Sequence, residues 1–317
     1  MRRYFRRCLR VRVVDSISKS LSEYVVGLRE LLKLLNIALL SRGHILIEGP
    51  TGVGKTVTAK LFAQSIGGTF KRIQMVPDIL PSDIIGTYYF DMEKSSWILR
   101  RGPIFSNVLL VDELNRAPPR TQAAFLEAMQ EGCVTIEGNT IPLPDPFIVL
   151  ATQIPYGGEG TYPLTPVQVD RFAYYYPVSY PLPEEEEEIV SRADVIDSAV
   201  IKPTVSVEDV LRAQREVMNV FVSGRVKKYI VSLVNFIRGQ KEVLAGPSPR
   251  ASIWLYRGSR ALAYIEGMDY VLPDHVKSIS KYVFLKRITL KPEYEVEGLN
   301  PMDIINRALE SVEVPKA

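Results

Sequence analysis

The stretch Gly49-Pro50-Thr51-Gly52-Val53-Gly54-Lys55-Thr56 constrains this chain more than any other. Its spacing is GxxxxGK[ST], which acts as a phosphate cradle only between a strand and a helix. Both are predicted. Residues 44–48 are a short apolar run of strand type, and residues 57–66 carry Ala59, Leu61, Phe62 and Ala63 in a helical stretch. Glycine reaches positive φ, so successive backbone N–H groups can converge on one anion. The N-terminus of the next helix adds partial positive charge. A triphosphate fits that nest; Lys55 then reaches its β and γ oxygens, and the Thr56 hydroxyl can ligate Mg²⁺. The pattern therefore predicts ATP and Mg²⁺ as cofactors. It assigns binding to Gly49, Pro50, Thr51, Gly52, Val53, Gly54, Lys55, Thr56 and Val57.

The second anchor is Val108-Leu109-Leu110-Val111-Asp112-Glu113. It is apolar without alternation, as expected of a parallel strand buried on both faces. It ends on two acids. Asp112 is placed to hold the water shell of Mg²⁺, and Glu113 to orient and deprotonate an attacking water.

Further strands are predicted over residues 69–75, 147–152 and 173–178, with helices over 28–40 and 120–132. Five strands with intervening helices make an α/β core around a parallel five-stranded sheet. Residues 13–23 read as a linker. Residues 134–141 read as a hairpin turning at Gly138-Asn139. Residues 77–101, with Pro81, Gly86, Tyr88-Tyr89 and Trp97, do not read as one helix and form a long insertion of the kind that is often functional. Gly157, Gly158 and Gly160 form a glycine loop. Composition shifts at Pro181-Leu182-Pro183, after which helical periodicity dominates, as in Val226, Ile230, Leu233, Val234 and Ile237. The expected division is a basic, frayed segment over 1–20, a core over 21–180 and a small all-α domain over 181–317.

Residues 1–12 contain six arginines and no acid, outweighing the formal net charge of +3. The body is thus net acidic, which argues against a nucleic-acid partner. No run reaches the roughly 18 apolar residues of a membrane span. The two cysteines, Cys8 and Cys133, are too few for a disulfide framework. No secretory segment is visible near the start, so the cytoplasm is the expected compartment. His44 reads as the polar start of a strand and His275 as a surface residue.

With these features in place, the chain resembles the MoxR-type AAA+ ATPases. The likeness is carried by Asp112-Glu113-Leu114-Asn115-Arg116-Ala117-Pro118-Pro119-Arg120-Thr121-Gln122, by Leu126-Glu127-Ala128-Met129-Gln130-Glu131, by Gly160-Thr161-Tyr162-Pro163-Leu164 and by Asp170-Arg171-Phe172. It implies an AAA+ P-loop core followed by a helical lid, working as a homo-oligomeric ring, usually a hexamer, that hydrolyses ATP and remodels protein complexes with a von Willebrand factor A-domain partner. It implies that Val26 and Gly27 contact the base, that Arg171 is the arginine finger serving a neighbour's γ-phosphate, and that Arg250 is the lid arginine called sensor 2. The insertion and the hairpin match the family's two protruding elements. One departure stands out: the family's Gln-Asn-Pro is Gln153-Ile154-Pro155 here. Gln153 is then the polar group left for the sensor-1 role. The alternatives are a nucleic-acid-stimulated AAA+ motor, or an ATP-switched scaffold with weak hydrolysis.

Overall fold

The computed structural model describes residues 14–155 and 160–315. The arginine-rich start, and Gly157 and Gly158 of the expected glycine loop, lie outside them. Helix α1, residues 14–22, stands where composition suggests a linker. Val14, Ile17 and Leu21 recur at helical spacing and are buried, so one apolar face outweighs an otherwise polar segment.

Helix α2 (Arg29–Ser41) leads into β1 (Ile45–Glu48), and helix α3 (Lys55–Ser65) follows the glycine turn. Strand β2 is Phe70–Gln74. The insertion is helix α4 (Pro81–Ile85) and an antiparallel pair, β3 (Gly86–Asp91) and β4 (Ser96–Arg101). Then come β5 (Val108–Asp112), α5 (Pro119–Glu131), the hairpin β6 (Cys133–Ile136) and β7 (Asn139–Pro142), β8 (Ile148–Gln153), α6 (Pro166–Val169) and β9 (Tyr174–Pro177). The hairpin turns at Glu137-Gly138 rather than Gly138-Asn139. Both turn residues have positive φ, which a two-residue hairpin loop of this hand requires, and Asn139 is paired with Ile136 instead.

The main sheet has the order β2-β5-β8-β1-β9 and is parallel throughout. Alternate residues of its buried strands serve two different cores. Ile45, Ile47, Leu110 and Leu150 face α2, α3 and the C-terminal helices. Leu46, Leu109, Val111 and Val149 face α5 and the hairpins. That is why the strand sequences show no polar alternation.

The remaining elements are α7 (Pro183–Ser191), α8 (Ala193–Asp197), α9 (Val207–Val217), α10 (Gly224–Arg238), β10 (Val243–Ala245), α11 (Pro249–Ile265), α12 (Pro273–Phe284), β11 (Thr289–Leu290), α13 (Pro292–Val296) and α14 (Pro301–Ser311). The lid is helical but not all-α. β10 and β11 pair antiparallel, so the segments leaving α10 and α12 satisfy each other's backbone groups. α2 packs on α9 and α11, and the apolar cluster on this face crosses residue 181 without a break.

His275 is not at the surface. Its Nδ1 accepts the Leu272 N–H at 2.9 Å, and its Nε2 meets Glu266 at 3.0 Å. His44 is also buried: Nδ1 accepts the Val149 N–H, and Nε2–H donates to the Met129 carbonyl. Burial lowers its pKa to about 4.

Leu35 on α2 is completely buried in the cluster shared by the core and the C-terminal helices. Leu35→Ala should lower the unfolding free energy by about 2–5 kcal/mol, read from urea melts by circular dichroism.

Candidate active site

The glycine turn leaves β1, an inner strand of the sheet, with β8 on one side and the edge strand β9 on the other. In an open parallel sheet, ligands bind outside the C-terminal strand ends where the strand order reverses. Gly49 fits there because it has no side chain: a Cβ would lie 2.1 Å from the Val178 carbonyl oxygen. Gly54 caps α3 with φ 82°, a conformation that L side chains seldom adopt. Their placement opens a cleft of about 280 Å³ lined by Gly49, Thr51, Gly52, Gly54, Lys55, Thr56, Val57, Arg72, Gln74, Asp112, Glu113, Thr152, Gln153 and Ile154.

Lys55 folds over the turn, donating to the Gly49 carbonyl at 3.1 Å and the Pro50 carbonyl at 2.9 Å. Burial lowers its pKa, and the charges of Asp112 and Glu113 partly oppose that shift. Asp112 ends β5, buried. Its Oδ2 accepts from Arg72 Nε at 2.6 Å and its Oδ1 from the Thr152 hydroxyl at 3.3 Å. Glu113 follows with φ 56° and ψ 49°, a left-handed conformation for a residue with a Cβ. Its N–H donates to Thr152 Oγ1 at 2.9 Å. Its carboxylate is held by Gln74 at 2.9 Å and Arg116 at 2.8 Å. Backbone strain of this kind, imposed by its surroundings, is typical of functional positions.

The structure thus brings together most of the predicted turn residues with Asp112, Glu113 and Gln153. Pro50 contributes its carbonyl to Lys55, and Val53 packs on the core. Val26 and Gly27 do not line the cleft. Glu185, from the first turn of α7, lies over Gly27, 2.9 Å from where a Cβ would stand. The Gln153 amide donates to Glu48 rather than into the cleft. Arg171 lies elsewhere, in a cleft of about 410 Å³ between α5 and α11 that Arg42, Arg250 and Arg257 also line. Arg250 faces a second cleft as well, of about 800 Å³, which shares Gln153 and Ile154 with the phosphate cleft. Arg171 does not pair with Asp170. Its Nε is buried and finds no hydrogen-bond partner among the described residues. Asp170 is taken by Arg287 at 2.8 Å and the Ser248 hydroxyl at 2.7 Å, with Arg250 at 3.7 Å.

Sequence reasoning passed over Arg72, Gln74, Arg116 and Thr152. Arg72 and Gln74 carried a usable signal, since residues two apart on a strand share a face. Thr152 immediately precedes Gln153, but nothing local tells which of two polar neighbours turns toward the acids.

The fit to magnesium and a triphosphate rests on these residues. Thr56 and Asp112 supply hard oxygen donors in one cleft. The turn is open at Gly52, where a Cβ would meet nothing within 4 Å.

Comparison with known proteins follows the same lines. Residues 44–174 match the profile of the ATPase family associated with various cellular activities (AAA), and residues 237–308 that of the AAA lid domain. Chaperone MoxR1 of Mycobacterium tuberculosis is 40% identical, over 92% of this chain and 80% of its own length. Protein YeaC of Bacillus subtilis, whose function is uncharacterised, is 41% identical over 93% of this chain and 92% of its own. A crystal structure from Cytophaga hutchinsonii, described as a candidate ATPase, superposes with a TM-score of 0.92 at 36% identity, covering 99% of this chain and 98% of that one.

The strain at Glu113 can be measured directly. Glu113→Gly should be more stable than Glu113→Ala by about 1 kcal/mol, because only glycine adopts this backbone without cost. Equal urea midpoints for the two variants would count against it.

Proposed function

The chain belongs to the MoxR family of AAA+ ATPases, and from that membership we propose that it is an ATP-hydrolysing chaperone acting on protein complexes as a ring, with each ATP held between two subunits. One observation carries the reading. The phosphate turn, Asp112 and Glu113 share one cleft, while Arg171 and Arg250 share another, and Arg171 has a buried, unpartnered Nε. A single subunit therefore keeps its candidate arginine finger away from its own phosphate turn. A neighbour presenting its phosphate turn to the arginine cleft completes both halves.

In this reading the backbone of the glycine turn binds the β-phosphate, and Lys55 exchanges the Gly49 and Pro50 carbonyls for phosphate oxygens. Thr56 and Asp112 would hold Mg²⁺, which neutralises charge on the transferred phosphoryl group. Glu113 takes the proton of the attacking water once its carboxylate is released from Arg116 and Gln74. Thr152 keeps Asp112 and Glu113 in register by bonding to both. Arg171, from the next subunit, offers planar donors to developing negative charge. Arg250 moves with the lid, since α11 begins one residue before it. The ring is a hexamer in the cytoplasm, and the partner class that the family implies is a von Willebrand factor A-domain protein. No helix of the described residues is long and apolar enough to cross a membrane.

A second reading, an ATP-switched scaffold with slow hydrolysis, is favoured by the polar end of β8. Gln153 is engaged by Glu48, and the next side chain in the cleft is Ile154. Wild-type turnover no faster than that of Glu113→Gln would select the scaffold.

Two experiments test the leading reading. Glu113→Gln should still bind ATP but lose about 10²–10⁴-fold in turnover, followed by phosphate release. Lys55→Ala and Arg171→Ala subunits, each inactive alone, should regain activity on mixing; a flat zero at every ratio removes Arg171 from any role between subunits.

A further inference from the structure

The turn after α12 carries two adjacent cations that reach different parts of the core. Lys286 Nζ lies 2.8 Å from Glu48 Oε2 and sits over the Tyr175 ring, 5.1 Å from its centroid. Glu48 is the last residue of β1, immediately before Gly49, and is paired in register with Gln153. Its carboxylate also accepts from the Tyr175 hydroxyl, at 2.9 Å, and from the Gln153 amide. A lid cation thus pairs with the residue that leads into the phosphate turn.

Arg287, the next residue, is almost fully buried. It donates to the Asp170 carboxylate at 2.8 Å and to the carbonyls of Asp170 at 3.1 Å, Phe172 at 2.5 Å and Ala173 at 3.4 Å. These acceptors lie on both sides of Arg171. Arg287 therefore grips the backbone from which Arg171 projects.

We propose that Lys286 is a positioning residue: it ties the lid turn to Glu48, so that the mouth of one subunit's nucleotide cleft sets where Arg287 holds Arg171 for the neighbour. This rests on the reading above that Arg171 serves the next subunit. The coupling follows from covalent geometry. The Cα atoms of consecutive residues are about 3.8 Å apart, so Lys286 and Arg287 shift together. A phosphate competes with the Gly49 and Pro50 carbonyls for Lys55, and Glu48 is bonded directly to Gly49. Lys286 is about one-third exposed but Glu48 is only 15% exposed, so losing the lysine can also cost stability. Thermal melts of the variant therefore separate a loss of placement from a loss of folding.

The test uses a mixture of Glu113→Gln and Arg171→Ala subunits. The Glu113→Gln subunit keeps Lys55 and binds ATP but hardly turns it over, so its one contribution is its Arg171. Adding Lys286→Met to that subunit should lower the restored activity about three- to tenfold. Lys286→Arg in the same subunit should recover it, because a guanidinium keeps both the charge and the ring contact. Thermal melts and ring mass should match those of the parent subunit. If the parent mixture restores activity but Lys286→Met changes nothing, the coupling is wrong and the reading of Arg171 stands. If the parent mixture stays at zero, both fall. Loss that Lys286→Arg does not recover, or that comes with a lower melting temperature, makes Lys286 a structural residue and overturns the proposal.

Discussion

β8 lies between β1 and β5 and is hydrogen-bonded to both, and every feature of the nucleotide cleft depends on that. The parallel register sets Glu48 opposite Gln153 and Val111 opposite Ala151, so two strand ends far apart in the chain finish side by side. The phosphate turn continues from one end and the acidic pair from the other. Thr152, at the end of the strand between them, bonds to Asp112 and to the backbone of Glu113. The apolar faces of β8 lock this register, because a one-residue slip would exchange its two buried faces.

The charges of the cleft are arranged to be exchanged. Lys55 rests on backbone carbonyls, Asp112 on Arg72 and Thr152, and Glu113 on Arg116 and Gln74. Each of these three groups has a partner in this structure, so none bears the cost of an unpaired buried charge. Arg72 and Arg116 keep about half their side-chain surface in solvent, so releasing an acid costs them little. Arg287 is the contrast. It is buried, its pKa is lowered mainly by that burial, and its acceptors converge on one backbone segment. Truncating one partner of such a buried pair is far costlier than losing an exposed one. The lid is thus anchored beside Arg171 by a buried guanidinium, and near the phosphate turn by a more exposed lysine.

Much of this was legible from residues alone. GxxxxGK[ST] between an apolar strand and a helix, and an apolar run ending in Asp112-Glu113, state their chemistry locally. Period and composition also identify the parallel sheet and the helical character of the C-terminal third. Short-range cues misled in three places: α1 hides in a polar stretch, the β6–β7 turn sits one residue early, and His275 is enclosed by a helix start and Glu266. Packing of one apolar face decides α1, strand pairing and positive φ decide the turn, and the adjacent Leu272 and Glu266 decide the histidine.

What the sequence by itself determined is the identity of the candidate site groups, because phosphate nests and acidic strand ends are built from neighbours along the chain. What only the tertiary structure decided is which groups meet. Arg171 sits apart from the phosphate turn, Gln153 turns toward Glu48, and Thr152 rather than Gln153 joins the two acids. These outcomes depend on strand order and on where the lid docks. Both are set by apolar burial summed over many residues, and no short motif records that sum.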